Sequence, residues 1–120
     1  MINELMEYAI ARIRGYKDEK NKERFYSQYS EQPHNPDEGL IEIKAPRKYK
    51  WKTRLERRLE TAVKEFYSKQ GFHLREINKE NEARKLHFER EINSLEEYLI
   101  SIERQGIFYY IHISRKTKWE

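Results

Sequence analysis

Residues 78–105 read NKENEARKLHFEREINSLEEYLISIERQ, and the fold turns on whether they form one helix or a strand followed by a helix. Phe88, Ile92, Leu95, Leu99 and Ile102 recur at steps of four, three, four and three, which lines them up on one helical face. Leu86, Phe88 and Ile92 also suit a strand, and Ser94 with Glu97 has the spacing of a capping box that would open a shorter helix. From 78 to 91 there is no β-branched residue, and Glu, Lys, Arg and Ala dominate. Intrinsic propensity therefore favours one long helix over 79–105.

The flanking segments are easier to read. Gly106 is placed to stop a helix, and IFYYIHIS (107–114) is aromatic and β-branched throughout, the signature of a strand. Upstream, FHLREI (72–77) alternates as a strand does. Residues 51–70 form an amphipathic helix with Trp51, Leu55, Leu59, Ala62, Val63 and Phe66 on its buried face and Gly71 as its terminator. Residues 39–44, GLIEIK, form a short strand ended by Pro46. SEQPHNPDE (30–38) reads as a loop, because Pro33, Pro36 and the Asn-Pro pair oppose regular structure. Ile2, Leu5, Met6, Ala9, Ile10 and Ile13 predict an N-terminal helix running toward residue 29, weakened at Gly15.

These elements predict an α+β fold. A small mixed sheet of strands near 39–44, 72–77 and 107–114 packs on helices near 51–70 and 79–105, with an N-terminal helix across them. If 78–91 holds a strand, the order from Gly39 matches a ferredoxin-like split β-α-β arrangement instead. The chain of 120 residues reads as a single domain: a helical arm at 1–30, an α+β core at 39–114 and a basic tail at 115–120.

Charged residues make up 38% of the chain and hydrophobic ones 37%, which points to an elongated or helix-rich shape with much exposed surface. Nine Tyr and five Phe argue against global disorder. The absence of Cys excludes disulfides, thiolate catalysis and Cys-based zinc sites. No apolar run approaches the roughly 20 residues of a membrane span, and MINELMEYAIARIRGY lacks the layout of a secretory signal. These features predict a cytoplasmic protein, in the host cytoplasm if the source is viral, with no membrane partner.

The net charge of +4 is unevenly spread. Lys44, Arg47, Lys48, Lys50, Lys52, Arg54, Arg57 and Arg58 stand against the single acid Glu56 within residues 44–58. A localised patch of this kind attracts an anionic partner, and interleaved Tyr49 and Trp51 offer rings on which a base can stack. Arg47, Lys48, Tyr49, Lys50, Lys52, Arg54, Arg57 and Arg58 are accordingly the candidate nucleic-acid contacts. In the strand 107–114, Phe108, Tyr110 and His112 fall on the face opposite Ile107, Tyr109, Ile111 and Ile113, an arrangement that can also present rings to bases.

Glu42 and Lys44 lie two apart on a strand, so they share a face opposite Ile41 and Ile43. LIEIKAP (40–46), the following helix and the strand opening GFHLREI resemble the core of the PD-(D/E)xK nuclease superfamily, in particular its VRR-NUC and phage exonuclease types. The resemblance covers residues 37–77. It implies a Mg²⁺-dependent nuclease in which Asp37 and Glu42 bind metal and Lys44 positions the attacking water. Two family features are unmatched: the Asp of a neighbouring strand, since Asp37 is only five residues before Glu42, and a Gln on the following helix. His34, His73, His87 and His112 show no short ligand spacing, although His73 and His112 on a mixed sheet would share a face with Glu42; no metal site is assigned to them and no cofactor is expected outside the nuclease reading.

The functional expectation is a small basic accessory or inhibitor protein, in the style of a phage or mobile element. It would bind RNA, DNA or a nucleoprotein complex of the host through residues 44–58. The incomplete catalytic set makes binding the expectation rather than catalysis. The alternatives are the metal-dependent nuclease and an inhibitor that acts purely by protein–protein contact. Oligomeric state is not legible.

Overall fold

The computed structural model describes residues 1–14, 25–45, 52–80 and 83–116. The elements run α1 (Ile2–Arg14), β1 (Tyr26–Gln32), β2 (Asn35–Lys44), α2 (Lys52–Lys69), β3 (His73–Glu80), β4 (Ala83–Glu91), β5 (Leu95–Gln105) and β6 (Phe108–Lys116). The strands form one six-stranded sheet in the order β1-β2-β6-β5-β4-β3. Every neighbouring pair is antiparallel. The fold is α+β with an N-terminal helix, and the described residues extend 52 × 27 × 23 Å. No described helix is long and apolar enough to cross a membrane.

The expected helix over 79–105 is replaced by two strands. The reason lies in which residues the core takes. Ile92, Leu95 and Leu99 of the helical stripe are exposed, at 69%, 36% and 41%. The buried set has period two: Leu86 and Phe88 on β4, Tyr98, Ile100 and Ile102 on β5. Two buried apolar positions are enough for β4, so its lack of β-branched residues is overridden by tertiary pairing. Ser94 and Glu97 do not cap a helix. Residues 92–94 turn the chain between the paired Glu91 and Leu95. Gly106 likewise ends a strand rather than a helix. It takes φ +64° in the two-residue β5–β6 hairpin, where primed turns require a positive φ.

The predicted loop at 30–38 is also corrected. YSQYSEQ pairs with β2 as a polar edge strand, and Pro33 and His34 form the hairpin turn. Pro36 falls in the bulged stretch between Asn35 and Gly39 where the ladder lapses, so its missing N–H disturbs no pairing. The helical arm proposed for 1–30 accordingly stops at Arg14 in the described residues. The sheet is antiparallel rather than mixed, and six strands exceed the ferredoxin-like alternative. Residues 115 and 116 belong to β6 rather than to a tail.

The 51–70 helix is found as Lys52–Lys69. Leu55, Leu59, Ala62, Val63 and Phe66 are buried as expected, with Tyr67 added, while Trp51 lies outside the described residues. Its end is a Schellman motif: Phe72 N–H donates to Tyr67 C=O at 3.0 Å and Gly71 N–H to Ser68 C=O at 3.0 Å, with Gly71 at φ +87°. The Tyr67 and Phe72 rings pack edge to face across the motif.

Ile2, Leu5, Ala9 and Ile13 of α1 join the apolar stripe of α2 against Ile41, Ile43, Tyr109, Ile111, Ile113 and the inward residues of β4 and β5. Charges also latch α2 to the sheet. Arg84 on β4 meets Glu60 at 3.1 Å, and Arg104 on β5 meets Glu56 at 3.2 Å. Arg90 stacks on Phe72 and donates to the Gln70 carbonyl at 2.7 Å. Glu56 and Glu60 of α2 thus face the sheet, while its arginines and Glu65 are left on the other side.

Tyr67 and Tyr98 sit in the aromatic cluster with Phe72 and Phe88. Burial pushes the Tyr98 phenol up to about 12, with the Asp37 carboxylate adding to the shift, and pushes Tyr67 higher still. Among the described residues, the Tyr67 hydroxyl has no hydrogen-bond partner. Tyr67→Phe removes a desolvated hydroxyl and keeps the ring, so urea unfolding should give unchanged stability or a gain of up to about 1 kcal/mol. A loss of more than that would mean the hydroxyl is bonded in solution. Gly39 sets a second test. A Cβ there would run into the Ser30 carbonyl oxygen of the paired strand. Gly39→Ala should therefore cost more than Gly106→Ala, for which only the left-handed conformation, at about 1 kcal/mol, opposes the change. Equal losses would contradict the β1–β2 register.

Candidate nucleic-acid interface

Arg54, Arg57 and Arg58 lie at i, i+3 and i+4 on the first turns of α2, so one helical face carries all three. Leu55 and Leu59 anchor the opposite side in the core at 0% exposure. The ion pairs of Glu56 and Glu60 with the sheet leave this outer face with an excess of positive charge. From α1, Arg12 reaches the same place. Arg12, Arg54, Arg57 and Arg58 line an open groove of about 360 Å³ together with Thr61 and Glu65.

Tyr8 organises the α1 side. Its hydroxyl donates to Glu65 Oε2 at 2.6 Å and accepts from Arg12 Nη2 at 3.2 Å and Lys69 Nζ at 3.3 Å. Both cations also sit over its ring, Lys69 at 4.9 Å and Arg12 at 5.5 Å from the centroid. Arg12 forms an ion pair with Glu65. The Tyr8 hydrogen bond and the Glu65 charge hold the Arg12 guanidinium above its ordinary range. Arg58 Nη1 lies 3.5 Å from the Arg12 carbonyl near the end of α1, where a cation complements the helix dipole. Four guanidinium forks around one carboxylate make an anion-binding surface, and their planar donor geometry suits phosphate oxygens.

Arg12 is the functional candidate that sequence reasoning missed. Its place on the polar side of α1 was legible, but its meeting with α2 depends on helix–helix packing, which periodicity does not give. Of the residues named from sequence, Arg54, Arg57 and Arg58 come together here. Arg47, Lys48, Tyr49 and Lys50 lie outside the described residues, as does the Lys52 side chain.

Asp37, Glu42 and Lys44 are not assembled into one site. All three are on β2, so no neighbouring-strand Asp arises from Asp37. Glu42 and Lys44 do share the face opposite the buried Ile41 and Ile43, as expected. Asp37 instead influences the inward-facing Tyr98. The strand neighbours of Glu42 are Gln28 and Tyr110, neither an acid. Among the described residues, the metal-capable groups of three or more His and acidic side chains do not include Glu42. Lys44 lies over the Phe108 ring at 5.8 Å.

His112 shares the outer face with Glu42, but His73 is on β3, four strand spacings or about 19 Å away across the sheet. Phe108 and Tyr110 stand outward as expected, half-buried and stacked at 6.2 Å with 14° between planes. They lie on the opposite face of the sheet from the arginine groove.

No family model, no curated protein and no solved structure matches the chain.

Among the described residues, Glu65 is the one acid lining the groove. Glu65→Gln should raise the salt needed to elute the protein from immobilised heparin. The melting temperature should move by less than about 2 °C, because an ion pair this exposed contributes little to stability. Elution at unchanged or lower salt would mean that anions do not use the groove.

Proposed function

We propose that this chain is a small basic binding protein of nucleic acid, acting as an accessory or inhibitor, whose phosphate contacts lie on the α1–α2 arginine groove and the adjoining basic segment. The observation that supports this reading is the convergence of Arg12 from one helix with Arg54, Arg57 and Arg58 from another. Arginines repel one another, and they gather at low cost only where an anion or internal acids offset them. Here Glu56 and Glu60 are committed to the sheet, and among the described residues Glu65 alone offsets the groove.

The geometry favours backbone recognition over base reading. The cations lie along the exposed side of a helix, and the paired rings of Phe108 and Tyr110 are on the far face. Contacts of this kind position a strand or duplex without selecting its sequence. Binding should therefore be tolerant of sequence and steeply weakened by salt, because each neutralised phosphate releases counterions.

The test is fluorescence anisotropy with labelled single-stranded and duplex oligonucleotides of about 20 nucleotides, between 50 and 300 mM KCl. Simultaneous Arg54→Ala, Arg57→Ala and Arg58→Ala should weaken binding at least about tenfold at 100 mM salt. The slope of log K against log salt should fall by about 2 to 3. Arg12→Ala alone should lower the slope by about 1. A triple variant with parental affinity and slope would defeat the reading. Binding to an acidic protein but to neither oligonucleotide would favour the inhibitor that acts by protein contact.

A further inference from the structure

A second cluster lies on the sheet face opposite the helices. β4 and β5 pair so that Glu89 stands directly across from Glu97, and His87 is two residues from Glu89 on the same face. The ligand atoms of His87, Glu89 and Glu97 all lie within 4.8 Å of one another, a convergence of three such groups found at this one place among the described residues. The Glu97 side chain is only 5% exposed and that of His87 18%. His87 Nε2 is buried and makes no hydrogen bond among the described residues. It stands 3.7 Å from Glu97 Oε1, too far to be one. Two carboxylates directly opposed across an antiparallel pair disfavour each other, and Lys116 of β6 is the register partner of Glu97 on its other side. Arg75, at the β3 bulge, reaches Glu89 Oε1 at 3.1 Å.

We propose that His87, Glu89 and Glu97 form a divalent transition-metal site, with Zn²⁺ as the ion that fits it best. The donor set is one imidazole nitrogen and two carboxylates. Mg²⁺ and Ca²⁺ prefer oxygen shells, and a soft ion such as Cu⁺ prefers sulfur, so a mixed nitrogen–oxygen set selects a borderline ion. Zinc bonds of about 2.0–2.2 Å place neighbouring donors about 3.3 Å apart in a tetrahedron. Separations of up to 4.8 Å would have to shorten to that value on binding, and the rotatable side chains of Glu89 and Glu97 are the groups to supply the change. Three protein ligands leave a fourth position for water, the format of an open zinc site. The ion would also tie β4 to β5 near their shared hairpin. This assignment is independent of the arginine groove, which lies across the sheet, and of the Glu42–Lys44 pair on β2.

The experiment uses the full chain after dialysis against chelator. Zn²⁺ titrated calorimetrically should bind with one equivalent, and that equivalent should survive desalting when metal is counted by mass spectrometry. His87→Ala and Glu97→Gln should each weaken the site by more than about 100-fold, the upper end of what losing even an outer partner costs. His73→Ala and His112→Ala, at exposed positions on the same face, should leave it unchanged. Circular dichroism checks that each variant is folded. Should His87→Ala fail to fold, the ring-nitrogen NMR spectrum of the parent decides, since zinc must shift His87 and leave His34 and His112 in place. No stoichiometric binding at 100 µM Zn²⁺, binding that survives His87→Ala, or zinc-induced shifts confined to other histidines would each overturn the assignment.

Discussion

The pairing of β2 with β6 is the constraint on which the rest of the molecule depends. Gly39 to Lys44 meet Ile113 to Phe108 in antiparallel register, joining the N-terminal hairpin to the β3–β6 meander across the whole length of α2 and three strands. Ile41, Ile43, Tyr109, Ile111 and Ile113 line that seam, each exposed by 2% or less. Such a long-range closure is entropically costly before its contacts form, so the apolar ladder has to be strong. Once it forms, α2 is fixed beneath the sheet and β2 can no longer choose which side chains face inward.

Both candidate sites follow from that choice of faces. On the inner side, the arginines of β4 and β5 draw Glu56 and Glu60 of α2 toward the sheet, which turns Arg54, Arg57 and Arg58 toward Arg12. The charge that makes the groove basic is therefore a consequence of how α2 is latched. On the outer side, strand alternation sets Glu42 with Lys44, Phe108 with Tyr110, and His87 with Glu89 and Glu97. Residues that resemble a nuclease core in sequence are spread by the same alternation: Asp37 and Glu42 sit at odd and even positions of one strand and part to opposite faces.

The α2 helix was legible because its apolar stripe, its length and Gly71 all agree, and the strands at 39–44 and 107–114 because β-branched and aromatic residues fill them. The shared helical face of three candidate basic residues was legible for the same reason, since Arg54, Arg57 and Arg58 repeat at helical spacing. Residues 78–105 misled because Phe88, Ile92, Leu95, Leu99 and Ile102 fit a helix by local spacing. The core instead took Leu86, Phe88, Tyr98, Ile100 and Ile102, a selection made by neighbouring strands. That error also hid the metal candidate. On a helix, His87 and Glu89 diverge by two positions, whereas on a strand they share a face and Glu97 arrives from the next strand. The β1 strand escaped notice because an edge facing water needs few apolar residues.

The central claim is that anions meet this protein on the helix side, at the junction of α1 and α2. The most direct measurement is an NMR titration of the arginine Nε–Hε signals and the aromatic ring signals with an unlabelled single-stranded oligonucleotide. The account predicts saturable shifts of Arg12, Arg54, Arg57 and Arg58 on a common binding curve, with Phe108 and Tyr110 unmoved. Shifts confined to Phe108, Tyr110 and Lys44 on the outer sheet face, or no saturable shift at the four arginines, would contradict it.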